Sequence, residues 1–196
     1  MSQIPVAALT SVMPTEPEAP IVLSDYDPAW PGEFERERLL LLEHLGEWLA
    51  GPIEHIGSTA VPGLRAKPIL DIMASVHTLD GSRPAIPVAA RLQYVYFPYR
   101  ANVMHWFCKP SPAARTHHLH LVPVDSQLWV DRLAFRDHLR QHPAVAGEYA
   151  VLKAAFAERY RTDREAYTQA KAPFVARILA AAGRENPWTP HTSGPT

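Results

Sequence analysis

The chain has 196 residues, 47% hydrophobic and 20% charged, which is enough for one domain with a buried core and a tight fit for two full ones. A formal charge of −1 carries no strong nucleic-acid or membrane-surface signal, and no apolar run approaches the roughly 18 residues of a membrane span. Cys108 stands alone, which excludes an intrachain disulfide framework; with no basic leader pattern after Met1, the expectation is a cytoplasmic protein.

In chain order, the proline-bearing segments 1–20 and 184–196 read as flexible tails around a single domain over 21–183. Ile21-Val22-Leu23 reads as a short strand. Asp27-Pro28-Ala29-Trp30-Pro31 then turns into a helix over 31–50, because proline in a first helical turn costs no hydrogen bond. Its apolar stripe is Phe34, Leu41, Leu42, Leu45 and Leu49, and Glu33, Glu35, Arg36, Glu37 and Arg38 are a solvated face. A short strand at 53–56 leads into a loop of small residues, Gly57 to Gly63, and a longer strand follows at 69–76. Strand alternation puts Leu70, Ile72, Ala74 and Val76 on one face, and Ile69, Asp71, Met73 and Ser75 on the other. A short helix at 86–93 precedes strands at 94–97, 103–109 and 117–123, and helices over 127–141, 143–160 and 163–181 complete the chain. The pattern is α+β: helices packed on one mixed sheet, with a helical C-terminal part.

Three groups of residues carry candidate chemistry. Glu54-His55-Ile56-Gly57-Ser58-Thr59 places a Gly-Ser pair directly after a strand, where exposed N–H groups can hold phosphate oxygens, and Asp71 on the next strand can hold a divalent cation bridging those phosphates. A tight turn beside a strand-end aspartate is the plainer reading of the same residues. His117-His118-Leu119-His120-Leu121 puts His118 and His120 on one strand face, side by side, where metal or phosphate can bind or where both imidazoles simply hydrogen-bond. Lys67, Lys109, Arg115, Arg136 and Lys171 supply positive charge, each either a ligand contact or a surface ion-pair partner. The loop is no P-loop, since Leu64 follows Gly63 where lysine is needed, and Ser58 lacks the flanking glycines of a nucleophile elbow.

Taken together, Asp25-Tyr26-Asp27-Pro28-x-Trp30-Pro31, the block from Glu54-His55-Ile56-Gly57-Ser58-Thr59 through Lys67-Pro68-Ile69-x-Asp71-Ile72, and His117-His118-Leu119-His120-Leu121-Val122 strongly resemble the GrpB family. Leu133 to Arg140 and Tyr149-x-x-Leu152-Lys153 extend the resemblance over about 22–182. It implies a nucleotidyltransferase-like fold in which the Gly-Ser pair and the carboxylates after it bind a nucleoside triphosphate with Mg²⁺. GrpB-like domains also occur fused to dephospho-CoA kinase. Carried over, Gly57 and Ser58 match the phosphate motif and Asp71 the first carboxylate of an Asp-x-Asp pair, whereas Met73 stands at the second. Thioether sulfur is a poor magnesium ligand, so either Asp71 has Glu54, His118 or His120 beside it or the site holds one metal or none.

The expected function is therefore nucleoside triphosphate binding with nucleotidyl transfer to an unidentified acceptor. Gly57, Ser58 and Thr59 contact phosphates; Lys67, Arg115 and Arg136 offset their charge; Asp71 and Glu54 hold Mg²⁺; His118 or His120 is general base or metal ligand. Met73 leaves open a catalytically silent module binding a nucleotide or CoA-related ligand, and the C-terminal helices leave open a protein-interaction module.

Overall fold

The computed structural model describes residues 20–183; the expected tails, Pro20 apart, lie outside them. Helix α1 (Trp30–Leu45) begins with Pro31 in its first turn and buries Trp30, Leu41 and Leu45. It stops five residues before the expected end at 50, because Gly46 opens a 3-10 turn over Gly46–Trp48 and the chain is already extended at Leu49. Leu42 is consequently exposed and Leu49 belongs to a strand rather than to the helical stripe. Strand β1 (Leu49–Ile56) is longer than expected and shifts register between Leu49 and Ile53, around Pro52, which an edge strand tolerates. The expected strand at 21–23 is replaced by extended chain carrying one isolated bridge, Ser24 to Ala66.

The remaining elements are β2 (Leu70–Val76), α2 (Ala85–Arg91), β3 (Val95–Phe97), β4 (His105–Lys109), β5 (His117–Pro123), α3 (Gln127–Gln141), α4 (Pro143–Arg159), α5 (Arg164–Ala170) and α6 (Ala172–Ala181). The expected helix over 163–181 is thus two. Pro173 lies in the first turn of α6, where a proline lacks the N–H that continuation of α5 would require, and Lys171 occupies the junction.

The five strands form one mixed sheet in the order β1-β2-β5-β4-β3, with β2 and β5 parallel and the other pairs antiparallel. One face, bearing Leu70, Ile72, Ala74, Val76, Phe107, Leu119 and Leu121, packs with α1 and α2 into the main core. The other face carries Asp71, Met73, His118, His120 and Trp106, and α3 covers part of it by packing Trp129 with Ile56, Met73, Met104 and Val122. Helices α3, α4 and α6 meet around Leu139, Tyr149, Phe174 and Ile178, a cluster that also takes Val61 and Leu64 from the loop after β1. No helix among the described residues is long and apolar enough to cross a membrane.

Glu37 departs from the solvated face expected of α1. It is buried, accepts hydrogen bonds from Lys109 Nζ at 2.8 and 3.0 Å, and accepts a third from the Tyr94 hydroxyl at 2.9 Å. Burial and the Glu37 charge hold the Tyr94 phenol well above its usual range. This pair ties α1 to β4 across the sheet, and removing one partner strands a charge in a poorly solvated place. Lys109→Met is expected to lower unfolding stability by about 3 kcal/mol in urea denaturation, and Glu37→Gln added to it to restore roughly half. Equal stability of Lys109→Met and the parent would show that the pair is solvated after all.

Candidate functional site

The candidate site lies where β1 leaves the sheet and β2 and β5 begin. The register sets Asp71 between Ile56 of β1 and His118 of β5, and Met73 beside His120. Because alternation is shared across the ladder, Asp71, His118 and His120 project together from the face that α3 only partly covers. Asp71 Oδ1 lies 2.9 Å from His118 Nδ1 and 3.8 Å from His120 Nε2. The first distance is a hydrogen bond, with Nδ1–H donating; the second is too long for one. Burial works to raise the Asp71 pKa, but the two imidazoles beside it hold the carboxyl well below the usual range. Burial, reinforced by Arg132, pushes His120 down to about 3, so it is neutral at physiological pH.

The cluster has the features of a cation site. Among the described residues, Asp71, His118 and His120 offer ligand atoms that all lie within 4.8 Å of one another. His118 Nε2 and His120 Nε2 are buried and, among the described residues, without hydrogen-bond partners, which is costly for polar atoms unless something else satisfies them. Two imidazoles and one carboxylate are a donor set for Mn²⁺, Fe²⁺ or Zn²⁺ and an unsuitable one for Mg²⁺, which prefers oxygen ligands. Met73, at the expected second carboxylate, is fully buried and fills the core beneath the site with Met104 and Trp129.

Gly57 closes one wall. Its φ of +71° and ψ of −170° belong to a region essentially reserved for glycine. A Cβ there would stand 2.4 Å from Asp71 Oδ2, so backbone and carboxylate approach as closely as they do only because no side chain intervenes. Ser58 begins a 3-10 turn over Ser58–Ala60 and is half-buried. Thr59 points inward instead: its hydroxyl bonds to His55 Nε2 at 2.9 Å, and His55 stacks on Phe34 of α1. The Thr59 side chain therefore anchors the loop, leaving only its backbone to meet a ligand. On the other side, Trp106 packs against His118 with ring centroids 5.2 Å apart, and the Arg115 guanidinium lies 5.4 Å from the Trp106 ring. Arg115 is brought to the site's edge in this way.

Helix α3 contributes three arginines one turn apart. Arg132 Nη1 lies 3.2 Å from His120 Nδ1. Arg136 Nη1 donates to Glu54 Oε2 at 2.6 Å and to the His55 carbonyl at 3.0 Å. Arg140 Nε donates to the Ala60 carbonyl at 2.8 Å. Glu54 and Arg136, expected at metal and phosphate, are thus engaged with each other and fasten α3 to the end of β1. Arg132 and Arg140 were not among the expected site residues; their signal is the i, i+4, i+8 spacing with Arg136, which puts all three on one helix face.

A second cationic group flanks the site. Lys67 Nζ and Lys171 Nζ lie 5.4 and 4.2 Å from the Tyr167 ring centroid. Lys153 is 2% exposed, lies 5.0 Å from the Tyr149 ring and donates to the Arg65 carbonyl. Burial lowers Lys153 to about 7, with Lys171, Lys67 and Arg65 adding to the effect. Burial and Lys67 lower Lys171 to about 7 against the opposing field of Asp71, which links this group to the carboxylate.

Comparison with known proteins places these residues in a wider setting. The GrpB protein family profile matches residues 20–181. A UPF0157 protein of Pseudomonas aeruginosa is 43% identical over 164 residues, covering 80% of this chain and 65% of that protein. The chain therefore spans about two thirds of that relative's length. Glutamate-rich protein GrpB of Alkalihalophilus pseudofirmus is 32% identical, over 81% of this chain and 94% of its own. The crystal structure of conserved protein GrpB from Enterococcus faecalis superposes with a TM-score of 0.74 at 33% identity, covering 82% of this chain and 96% of that one.

Two outcomes follow from the geometry. Gly57→Ala is expected to cost about 2–3 kcal/mol from the backbone alone and to displace Asp71; urea denaturation reads the loss, and an unchanged midpoint would contradict the contact. The second outcome concerns alkaline pH. Folded values near 7 for Lys153 and Lys171 lie below the usual 10.5, so the unfolded chain binds more protons across that window. Stability should therefore rise by about 2 kcal/mol per lysine, about 4 kcal/mol in all, from pH 7 to 9. Above pH 10 the trend should reverse, because burial holds the Tyr149 phenol well above its usual range and raises Tyr167 to about 12. Lys171→Met should remove about half of the rise; a parent stability that falls from pH 7 to 9 would contradict it.

Proposed function

The chain belongs to the GrpB family, and on that premise we propose that it binds a nucleoside triphosphate at the Asp71 centre together with a divalent transition-metal ion, for nucleotidyl transfer to an acceptor. The observation that carries the reading is the convergence of Asp71, His118 and His120 beside the side-chain-free wall of Gly57. In that place a metal ion would neutralise phosphate charge and polarise the reacting phosphoryl oxygen.

The residues have separable tasks. Asp71, His118 and His120 hold the cation through one carboxylate oxygen and two imidazole nitrogens. Gly57 and Ser58 admit phosphate oxygens to the backbone, because no Cβ at 57 blocks the approach. Arg115, supported on Trp106, lies where it offsets phosphate charge. Arg132 donates to His120 Nδ1 and so selects the tautomer with the proton on Nε2. Loading Nε2 requires that proton to move to Nδ1, where Met104 Sδ lies 3.5 Å away, and it frees Arg132 to turn toward a phosphate. Arg136 and Glu54 act through position, holding α3 and the Gly57 loop in register.

Met73 favours a second reading, in which the centre binds a nucleotide or CoA-related ligand for regulation without turnover, since only one carboxylate faces the ligand. The two readings share the binding step and differ in pyrophosphate release.

Calorimetric titration of the apoprotein with Mn²⁺, Co²⁺, Zn²⁺ and Mg²⁺ tests the centre. Mn²⁺ or Co²⁺ is expected to bind at least about tenfold more tightly than Mg²⁺, and Asp71→Asn or His118→Ala to weaken binding by about 100-fold. Triphosphate affinity should rise with the bound metal, and pyrophosphate release then selects transfer over regulation. Equal affinity for Mg²⁺ and Mn²⁺ in the parent protein, or unchanged Mn²⁺ affinity in the Asp71→Asn variant, would end the assignment.

A further inference from the structure

We propose that Lys67, Lys153 and Lys171, gathered against the rings of Tyr149 and Tyr167, form a polyphosphate subsite that receives the phosphate chain extending from the Asp71 centre. The placement of the chain relative to the metal rests on the function proposed above; the capture of a polyphosphate by the lysines does not. The three residues come from separate segments: the loop before β2, the body of α4 and the α5–α6 junction. They meet only because the helical part folds back against the loop that follows Gly57.

The grouping is expensive if it serves structure alone. Lys153 is almost wholly buried, and its hydrogen-bond acceptor is a backbone carbonyl, that of Arg65. The charges acting on it are Lys171, Lys67 and Arg65, all of its own sign. Lys171 feels Lys67 as a like charge and Asp71 as an opposing one. Neighbouring ammonium groups repel, and each loses hydration on burial. Cation-π contact with Tyr149 and Tyr167 offsets part of that cost, and a methionine of similar length would pack there without the repulsion. An arrangement that is unfavourable when empty and favourable when filled by an anion is what a binding site requires.

The chemistry selects the anion. Lysine binds phosphate as a point charge and lacks the planar fork with which arginine grips carboxylate and phosphate alike, so a group of lysines answers to the density of negative charge. Several ammonium groups around two aromatic walls suit several linked phosphates better than one small anion. The lysines are half-buried or buried, which fits a small chain and excludes a duplex lying on a surface. The Asp71 carboxylate acts on Lys171 with the opposite charge, so a bound chain would run from the cation at Asp71 toward the lysines.

Calorimetry with inorganic tripolyphosphate in EDTA tests the subsite without the metal. The parent protein is expected to bind tripolyphosphate, and Lys171→Met and Lys153→Met each to weaken that binding at least about tenfold. In ligand-free buffer, Lys171→Met should melt no lower than the parent, because it removes an unfavourable charge. Asp71→Asn should keep or strengthen tripolyphosphate binding in EDTA, so a failure of the metal titration leaves this proposal standing. A parallel titration with ATP identifies the source: tighter binding of ATP marks a nucleotide's phosphates, and equal binding marks free polyphosphate. Absence of tripolyphosphate binding in the parent, or unchanged binding in both methionine variants, would overturn the proposal.

Discussion

The architecture of the site depends on the contact between the Asp71 carboxylate and the backbone of Gly57. A side chain at 57 would overlap Asp71 Oδ2, so the end of β1 and the start of β2 can sit together only with glycine there. That contact fixes Asp71 opposite His118 in the parallel pairing of β2 with β5, and His120 follows two residues on. The same closeness makes the loop after Gly57 the roof of the site, and α3 is bolted to it by Arg136 at Glu54 and His55 and by Arg140 at Ala60.

The two faces of the sheet divide the work. One face is apolar from Leu70 to Val76 and from Leu119 to Leu121, and it buries the main core under α1 and α2. Stability gathers there, with the Glu37–Lys109 pair crossing from α1 to β4. The opposite face is apolar only where Met73, Val122 and Trp129 meet; next to them the polar groups Asp71, His118 and His120 are held in place by the same strands. Polar atoms left without partners among the described residues, His118 Nε2 and His120 Nε2, lie on this side. These are the positions where the fold accepts an unfavourable arrangement, and they surround one carboxylate.

Much of this was legible in the sequence, for reasons of period. Alternation in 69–76 and in 117–123 put Asp71, His118 and His120 on faces that the sheet then joined, and Gly57-Ser58 announced a tight approach after a strand. The family resemblance is matched by the GrpB profile over 20–181. Long-range pairing was not legible. Glu54 and Thr59 looked like ligands because they flank Gly57, yet Glu54 meets Arg136 on a helix far along the chain, and Thr59 turns into the core to bond His55. Glu37 looked solvated because it lies in a charged run, and only the approach of β4 buries it. Lys171 was visible as a basic residue, but its grouping with Lys67 around Tyr167, with Lys153 alongside on Tyr149, requires the break at Pro173 and the return of α4. Arg132 carried a helical spacing with Arg136 that pointed to a shared face, without indicating what that face would meet.

The most direct measurement is anomalous diffraction at the manganese edge from crystals grown with Mn²⁺ and a non-hydrolysable nucleoside triphosphate. The account predicts an anomalous peak bounded by Asp71, His118 and His120, with the phosphate chain continuing toward Lys67 and Lys171. A peak elsewhere, or phosphates bound away from Asp71, would contradict it.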